Sequence, residues 1–236
     1  MSFTVESEEP MRRSRVADSL AVAGLVLLGI VPAIAGSLRL RQIAGGIATA
    51  DHARFLAMPG PIVAHIVGAV VFALAGAFQF SAELRRSRMQ WHRLAGVILV
   101  PCGLAVSLSG LWMAQFYPSV DLDGVAVYWM RIVAGVVMTV ALWLGVSAVR
   151  RRDIGAHRAW MMRAYALGMG AGTQVFTHVP LMIAPSLRSE LSRAIAMGAG
   201  WAINAAVAEF FIQRSVQSKA VGTQRMSTLH RPVAVP

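Results

Sequence analysis

The chain has 236 residues, 56% hydrophobic and 14% charged, with a mean hydropathy of +0.60 and a formal net charge of +11. Soluble domains carry about a quarter charged residues, so this composition excludes a water-soluble globular fold and points to a polytopic membrane protein. The basic excess does not point to nucleic acid, because the arginines gather at helix junctions and not in one stripe.

A spanning helix needs roughly 20 mostly apolar residues. In chain order, a polar tail over residues 1–16 is followed by six such segments: 17–38, 61–82, 93–115, 125–149, 159–184 and 193–212. These predict an all-α helical bundle with six transmembrane helices over residues 17–213, and a disordered tail over 214–236. The runs are too long and too apolar for barrel strands. Ala33-Ile34-Ala35 resembles a signal cleavage site, but the apolar run continues to Leu38, which predicts a retained first helix. A short interfacial helix is expected between Arg39 and Gly60, where Gly45-Gly46 precedes Asp51-His52-Ala53-Arg54 and Pro59-Gly60-Pro61. His52 and His230 are expected in solvent. The lone Cys102 falls inside the third segment and offers neither a disulfide nor a thiolate metal site.

The basic residues alternate by side. Arg12, Arg13 and Arg15 precede the first segment. Arg85, Arg86, Arg88 and Arg93 follow the second. Arg150, Arg151, Arg152, Arg158 and Arg163 follow the fourth, and Arg214, Lys219, Arg225 and Arg231 follow the sixth. Sixteen of the 22 Lys+Arg therefore fall on one side. The positive-inside rule places that side, with both termini, in the cytoplasm. Two of these turns look alike: Arg85-Arg86-Ser87-Arg88 leads to His92-Arg93, and Arg150-Arg151-Arg152-Asp153 leads to His157-Arg158. The repeat, at a spacing of 65 residues, fits a duplicated helix pair or independent use of arginine at cytoplasmic turns. Trp91 and Trp160 mark the inner interface; Trp112, Tyr117, Tyr128 and Trp129 mark the outer one.

At about 100° per residue, His92 shares a face with Gly96, Gly103, Ser107 and Gly110. His157 shares one with Met161, Gly168 and Gly172, and His65 with Gly68, Phe72, Gly76 and Gln79. Small residues on a membrane helix permit close contact, so these histidines are expected to point into the bundle. By depth, His92 pairs with His157 near the inner face. His178 lies about 31 Å beyond His157 along a straight helix and pairs with His65 near the outer face. Two such pairs are the arrangement of a b-type cytochrome with haem b as cofactor. Arg93, Arg158 and Arg163 would neutralise propionates inside, and Arg131 outside. The competing view gives all four histidines interfacial or packing roles. Intramembrane charges usually pair, so Arg163 on the fifth segment is expected to meet Glu209 on the sixth. Asn204, at mid-membrane, is expected to bond across helices, and Arg131 to meet Asp121, Asp123 or lipid phosphate. No glycine-rich nucleotide loop, zinc-protease motif or nucleophile elbow is present.

One group of motifs carries a resemblance: His65-Ile66-Val67-Gly68, Gln79-Phe80 before the arginines, His92-Arg93 with Gly96, His157-Arg158-Ala159-Trp160-Met161 with Arg163, Tyr165, Ala166 and Leu167, and Asn204 with Glu209. Together, across about residues 61–214, they resemble an uncharacterised family of bacterial membrane proteins catalogued as domain of unknown function 2306. Leu99 stands where that pattern has tyrosine, and His178 has no counterpart in it. The resemblance implies a membrane fold and no defined activity. The functional expectation is haem- or quinone-linked electron transfer; the alternative is a small-molecule or lipid permease, or an accessory subunit. The expected surroundings are the lipid bilayer, with no nucleic-acid partner. Reporter fusions test the topology: those after Arg88 and Arg152 should report cytoplasm, and one at Asp121 periplasm. The opposite signals would invert it.

Overall fold

The computed structural model describes residues 8–46 and 53–229. His52 and His230 fall outside them, as do Asp51 and the end of the C-terminal tail. Among the described residues the chain is helical throughout, in ten α-helices and two single 3-10 turns. They are α1 (Glu8–Ala44), α2 (Ala53–Ala57), α3 (Pro59–Ala77), α4 (Ala82–Ser87), α5 (Met89–Phe116), α6 (Val125–Arg150), α7 (Ile154–Gly168), α8 (Gly170–Thr177), α9 (Val179–Ile183) and α10 (Glu190–Leu229). This is an all-α membrane bundle. Among the described residues, five helices are continuous, long and apolar enough to cross a membrane: those over Val16–Ala44, Pro59–Phe80, Met89–Phe116, Val125–Arg150 and Glu190–Ser218.

The expected fifth span, 159–184, is not one helix. It is α7, α8 and α9 in series, interrupted at Met169 and His178. Gly168 and Gly170 flank the first interruption, where helix propensity is lowest, and Pro180 follows the second. Asn204 of α10 spans the first interruption: its Nδ2 donates to the Ala166 carbonyl at 3.1 Å, and its Oδ1 accepts from Thr173 Oγ1 at 2.6 Å. Gln174 and Thr177 then donate to the Met197 and Ala196 carbonyls. In lipid, such bonds supply the polar partners that water would supply elsewhere. α10 continues to Leu229, through part of the tail where the sequence pattern predicts no regular structure. That tail reaches no proline before Pro232 to stop it.

Packing runs around the bundle: α1 against α3, α3 against α5, α5 against α6, and α6 against α7. α10 covers α7 and α8, and α8 returns to α1. The core is Phe72, Leu99, Val106, Met138, Leu142, Tyr165 and Met169. Tyr165 Oη donates to the Ala73 carbonyl at 2.7 Å, tying α7 to α3. The outer surface is apolar, with Leu27, Val97, Trp143, Ile195 and Phe211 all more than half exposed, as a lipid-facing surface requires.

The glycine faces are contact faces over most of their length. A methyl group at Gly103 would come 2.8 Å from the Phe72 ring, and one at Gly76 would come 2.6 Å from Tyr165. Gly96 differs, with open space around it.

Candidate ligand-binding cavity

The end of the bundle opposite the arginine-rich turns is built by α2, the α5–α6 loop and the starts of α6 and α10. Arg54 of α2 donates to the Pro118 carbonyl at 3.0 Å, and its guanidinium lies 4.6 Å over the Phe55 ring. Arg39 lies 5.1 Å over the same ring. Tyr117 packs edge-on against Phe55 and donates from its hydroxyl to the Met58 carbonyl at 2.6 Å. Burial raises the Tyr117 phenol above its usual pKa. It also lowers the Arg54 guanidinium, with the Arg131 charge acting in the same direction.

Asp123 ties this end together. Its carboxylate, only 4% exposed, accepts from Arg131 of α6 at 2.7 Å and from Arg193 of α10 at 2.5 Å. Of the three partners the sequence offered Arg131, the structure selects Asp123.

Beneath this network lies a partly open cavity of about 410 Å³. Loop residues Pro118 and Ser119, with Arg54 and Asp123, bound it at the loop end. It reaches Met138, halfway along α6, and Leu167 and Gly168 at the α7–α8 interruption. His65 of α3, Tyr128 of α6 and Trp201 of α10 are part of its lining. Its size falls within the range typical of small-molecule sites.

His65 Nδ1 donates to the Val106 carbonyl at 3.0 Å, with Ser109 Oγ 3.1 Å away. A carbonyl partner fixes the proton on Nδ1, which leaves the Nε2 lone pair available. The other histidines sit elsewhere. His178 donates through Nδ1 to the Gln174 carbonyl at 2.8 Å and lines a separate, smaller cavity with Leu122, Arg188 and Arg193. His65 and His178 thus line different cavities. At the arginine end, His157 Nδ1 donates to the Gly145 carbonyl at 2.9 Å. His92, half-buried, lies within electrostatic range of His157, Arg85 and Arg93. Arg93 and Arg158 are exposed beside them. This end is shaped by a tight turn: Arg152 takes the left-handed conformation (φ 62°), and Asp153 caps α7 by accepting from Ala156 N at 2.9 Å. Among the described residues, no group of three or more His, Cys, Asp or Glu side chains is placed to hold a metal ion.

Arg163 and Glu209 come together. Arg163 Nε and Nη2 reach the two carboxylate oxygens at 2.5 and 3.0 Å, and the guanidinium lies 4.6 Å over the Trp160 ring. The pair is part-exposed on the bundle surface, outside the cavity.

Arg54, Tyr128 and Trp201 were not among the site residues expected from the sequence, although a signal was present. Six basic residues stand apart from the arginine-turn side: Arg39, Arg41, Arg54, Arg131, Arg188 and Arg193. The positive-inside rule leaves them unexplained. Three of them, Arg54, Arg131 and Arg193, are at the network around Asp123 or line the cavity beneath it.

Fold and cavity together define a polytopic helical membrane protein with a ligand-sized internal space. A family model described as predicted membrane protein (DUF2306) matches residues 62–212, and the chain belongs to that family. α1 and α2, with Arg54 and Phe55, precede the matched segment. No curated protein and no solved structure matches the chain.

The Arg163–Glu209 pair yields a stability test. Arg163→Met and Glu209→Met should each cost roughly 2 kcal/mol, the order expected for a charge stranded in a membrane helix. The double substitution should cost less than the worse single one. Thermal unfolding in detergent measures this, and a double mutant as unstable as the two losses added would show that the groups act independently.

Proposed function

We propose that the protein binds a small organic molecule in the cavity between α3, α5, α6, α7, α8 and α10, either as a permease or as a membrane subunit presenting the molecule to a partner. The bundle would lie in the bacterial cytoplasmic membrane with the arginine turns and both termini in the cytoplasm, so the cavity would face the periplasmic half. The observation that carries this proposal is a space of about 410 Å³ reaching mid-bundle, with charged groups confined to its loop end. A helix pair packed only for stability has no need of such a volume, because empty space forfeits packing contacts. The interruption at Met169 borders the cavity floor, and non-helical backbone at membrane depth is tolerated where it lines a cavity.

Cysteine accessibility tests the cavity. In a Cys102→Ala background in nanodiscs, Ala134→Cys and Ala171→Cys, both in the lining, should react with water-soluble methanethiosulfonate reagents of either charge. Val137→Cys, on the exposed apolar surface, should not. Silence at both lining positions would end the proposal.

A second proposal keeps haem b and electron transfer. It is favoured by the free Nε2 of His65 in a cavity also lined by Met113, Met138 and Met197, since histidine with methionine is an established axial pair. Arg54 and Arg131 would neutralise the propionates there. At the other end His92 and His157, with Arg93 and Arg158, would form the second site. Protein purified with haem supply should then show a Soret band, and His65→Ala or His92→Ala should each remove one spectral component. Absence of Soret absorbance would end this second proposal and leave the first intact.

A further inference from the structure

The loop end of the cavity is built for negative charge. Arg39 and Arg54 both lie over the Phe55 ring, and Arg131 and Arg193 share the single carboxylate of Asp123. This end thus holds four guanidiniums and one buried carboxylate, which pairs with two of them; Asp121 and Glu190 nearby are exposed. Arg54 Nε and Arg39 Nη1 are buried with no hydrogen-bond partner among the described residues. Guanidinium only donates, and a buried donor without an acceptor costs free energy that a ligand oxygen would recover. Below the guanidiniums the lining is uncharged and largely apolar: Val106, Met138 and Leu167 line the deeper part, with His65, Ser107 and Gln174 as its polar members.

We infer that the cavity binds an amphipathic anion, with a carboxylate or phosphate head between Arg54 and Arg131 and an apolar body running toward Met138 and Leu167; this rests on the ligand-binding proposal above. The charge excess selects the head. Arg131 is partly neutralised by Asp123 and Arg39 is not part of the lining, which leaves Arg54 as the lining cation with an open donor and makes it the main contact. The gradient from charged to apolar selects an amphiphile over a simple inorganic ion.

The test uses full-length protein in phosphatidylcholine nanodiscs. The probes are three terminally brominated dodecyl compounds: the carboxylate, the alcohol and the trimethylammonium. Bromine quenches tryptophan fluorescence, and Trp201 lines the cavity, so the signal is the difference between wild type and Trp201→Phe. The carboxylate should bind about tenfold more tightly than the alcohol, the gain of a charge-assisted hydrogen bond, and the ammonium more weakly than either. Arg54→Gln should bring the carboxylate down to the level of the alcohol while alcohol binding persists, which shows that the cavity is still folded. Arg54→Lys should retain part of the preference. Arg131 is left in place, because its removal would also take from Asp123 one of its two partners. Displacement of the carboxylate by phosphatidylglycerol in the disc assigns the anion to a lipid. Displacement by aqueous octanoate without an effect of phosphatidylglycerol assigns it to a soluble amphiphile.

Equal affinity for the three probes, or preference for the ammonium, would overturn the anion inference and leave the cavity proposal standing. Carboxylate preference unchanged in Arg54→Gln would overturn the assignment to Arg54. No difference signal with any probe would overturn the inference of an amphipathic ligand, and the cysteine accessibility of the lining then decides whether the cavity proposal stands.

Discussion

Phe72 is the contact on which the bundle turns. Its ring fits against Gly103 of α5 and Gly168 of α7, where a methyl group would come within 2.8 and 2.7 Å of it. The Tyr165 ring of α7 lies tilted beside it, with centroids 5.6 Å apart, and presses on Gly76 of α3. Between helices in lipid there is no hydrophobic driving force, so association depends on close van der Waals fit and interhelical hydrogen bonds. An aromatic knob set into glycine faces supplies the fit, and the Tyr165 hydroxyl on the Ala73 carbonyl supplies a hydrogen bond. This one cluster joins α3, α5 and α7 at mid-depth.

The cavity begins where that fit ends. Toward the loop end part of the space between the helices is not filled; beside an apolar contact of Val127 on α6 with Ala194 and Met197 on α10, polar contacts brace the helices: Asp123 with Arg131 and Arg193, Arg54 with the loop carbonyl of Pro118, and Tyr117 with Met58. On the far side Asn204, Gln174 and Thr177 attach the interrupted α7–α8 segment to α10. One half of the bundle is therefore packed and the other is braced around a space. That division separates the part that holds the fold from the part available to a ligand.

The all-α class, the arginine turns and five of the six expected spans were legible in the sequence, because a spanning helix needs a minimum apolar length and charge asymmetry is set by where arginines occur along the chain. The inward glycine faces were legible from helical periodicity, and Gly103 against Phe72 and Gly76 against Tyr165 follow them. Gly96, which lies on the same predicted face, touches nothing, since a face extends beyond the partner that covers it.

The sequence by itself determined which segments are apolar enough to cross a membrane, at which helix junctions the positive charge gathers, and that Arg163 and Glu209 were charges in need of a partner; each is a property of local composition along the chain. Only the tertiary structure decided that 159–184 breaks at Met169 and His178, because glycine beside an apolar run is as compatible with a continuous helix as with an interrupted one. It alone placed His65 and His178 in different cavities, a relation that depth along a straight helix could not report. It alone assembled the cavity, whose lining comes from seven helices and a loop far apart in the chain. Periodicity describes one helix at a time, whereas an enclosed volume exists only between several.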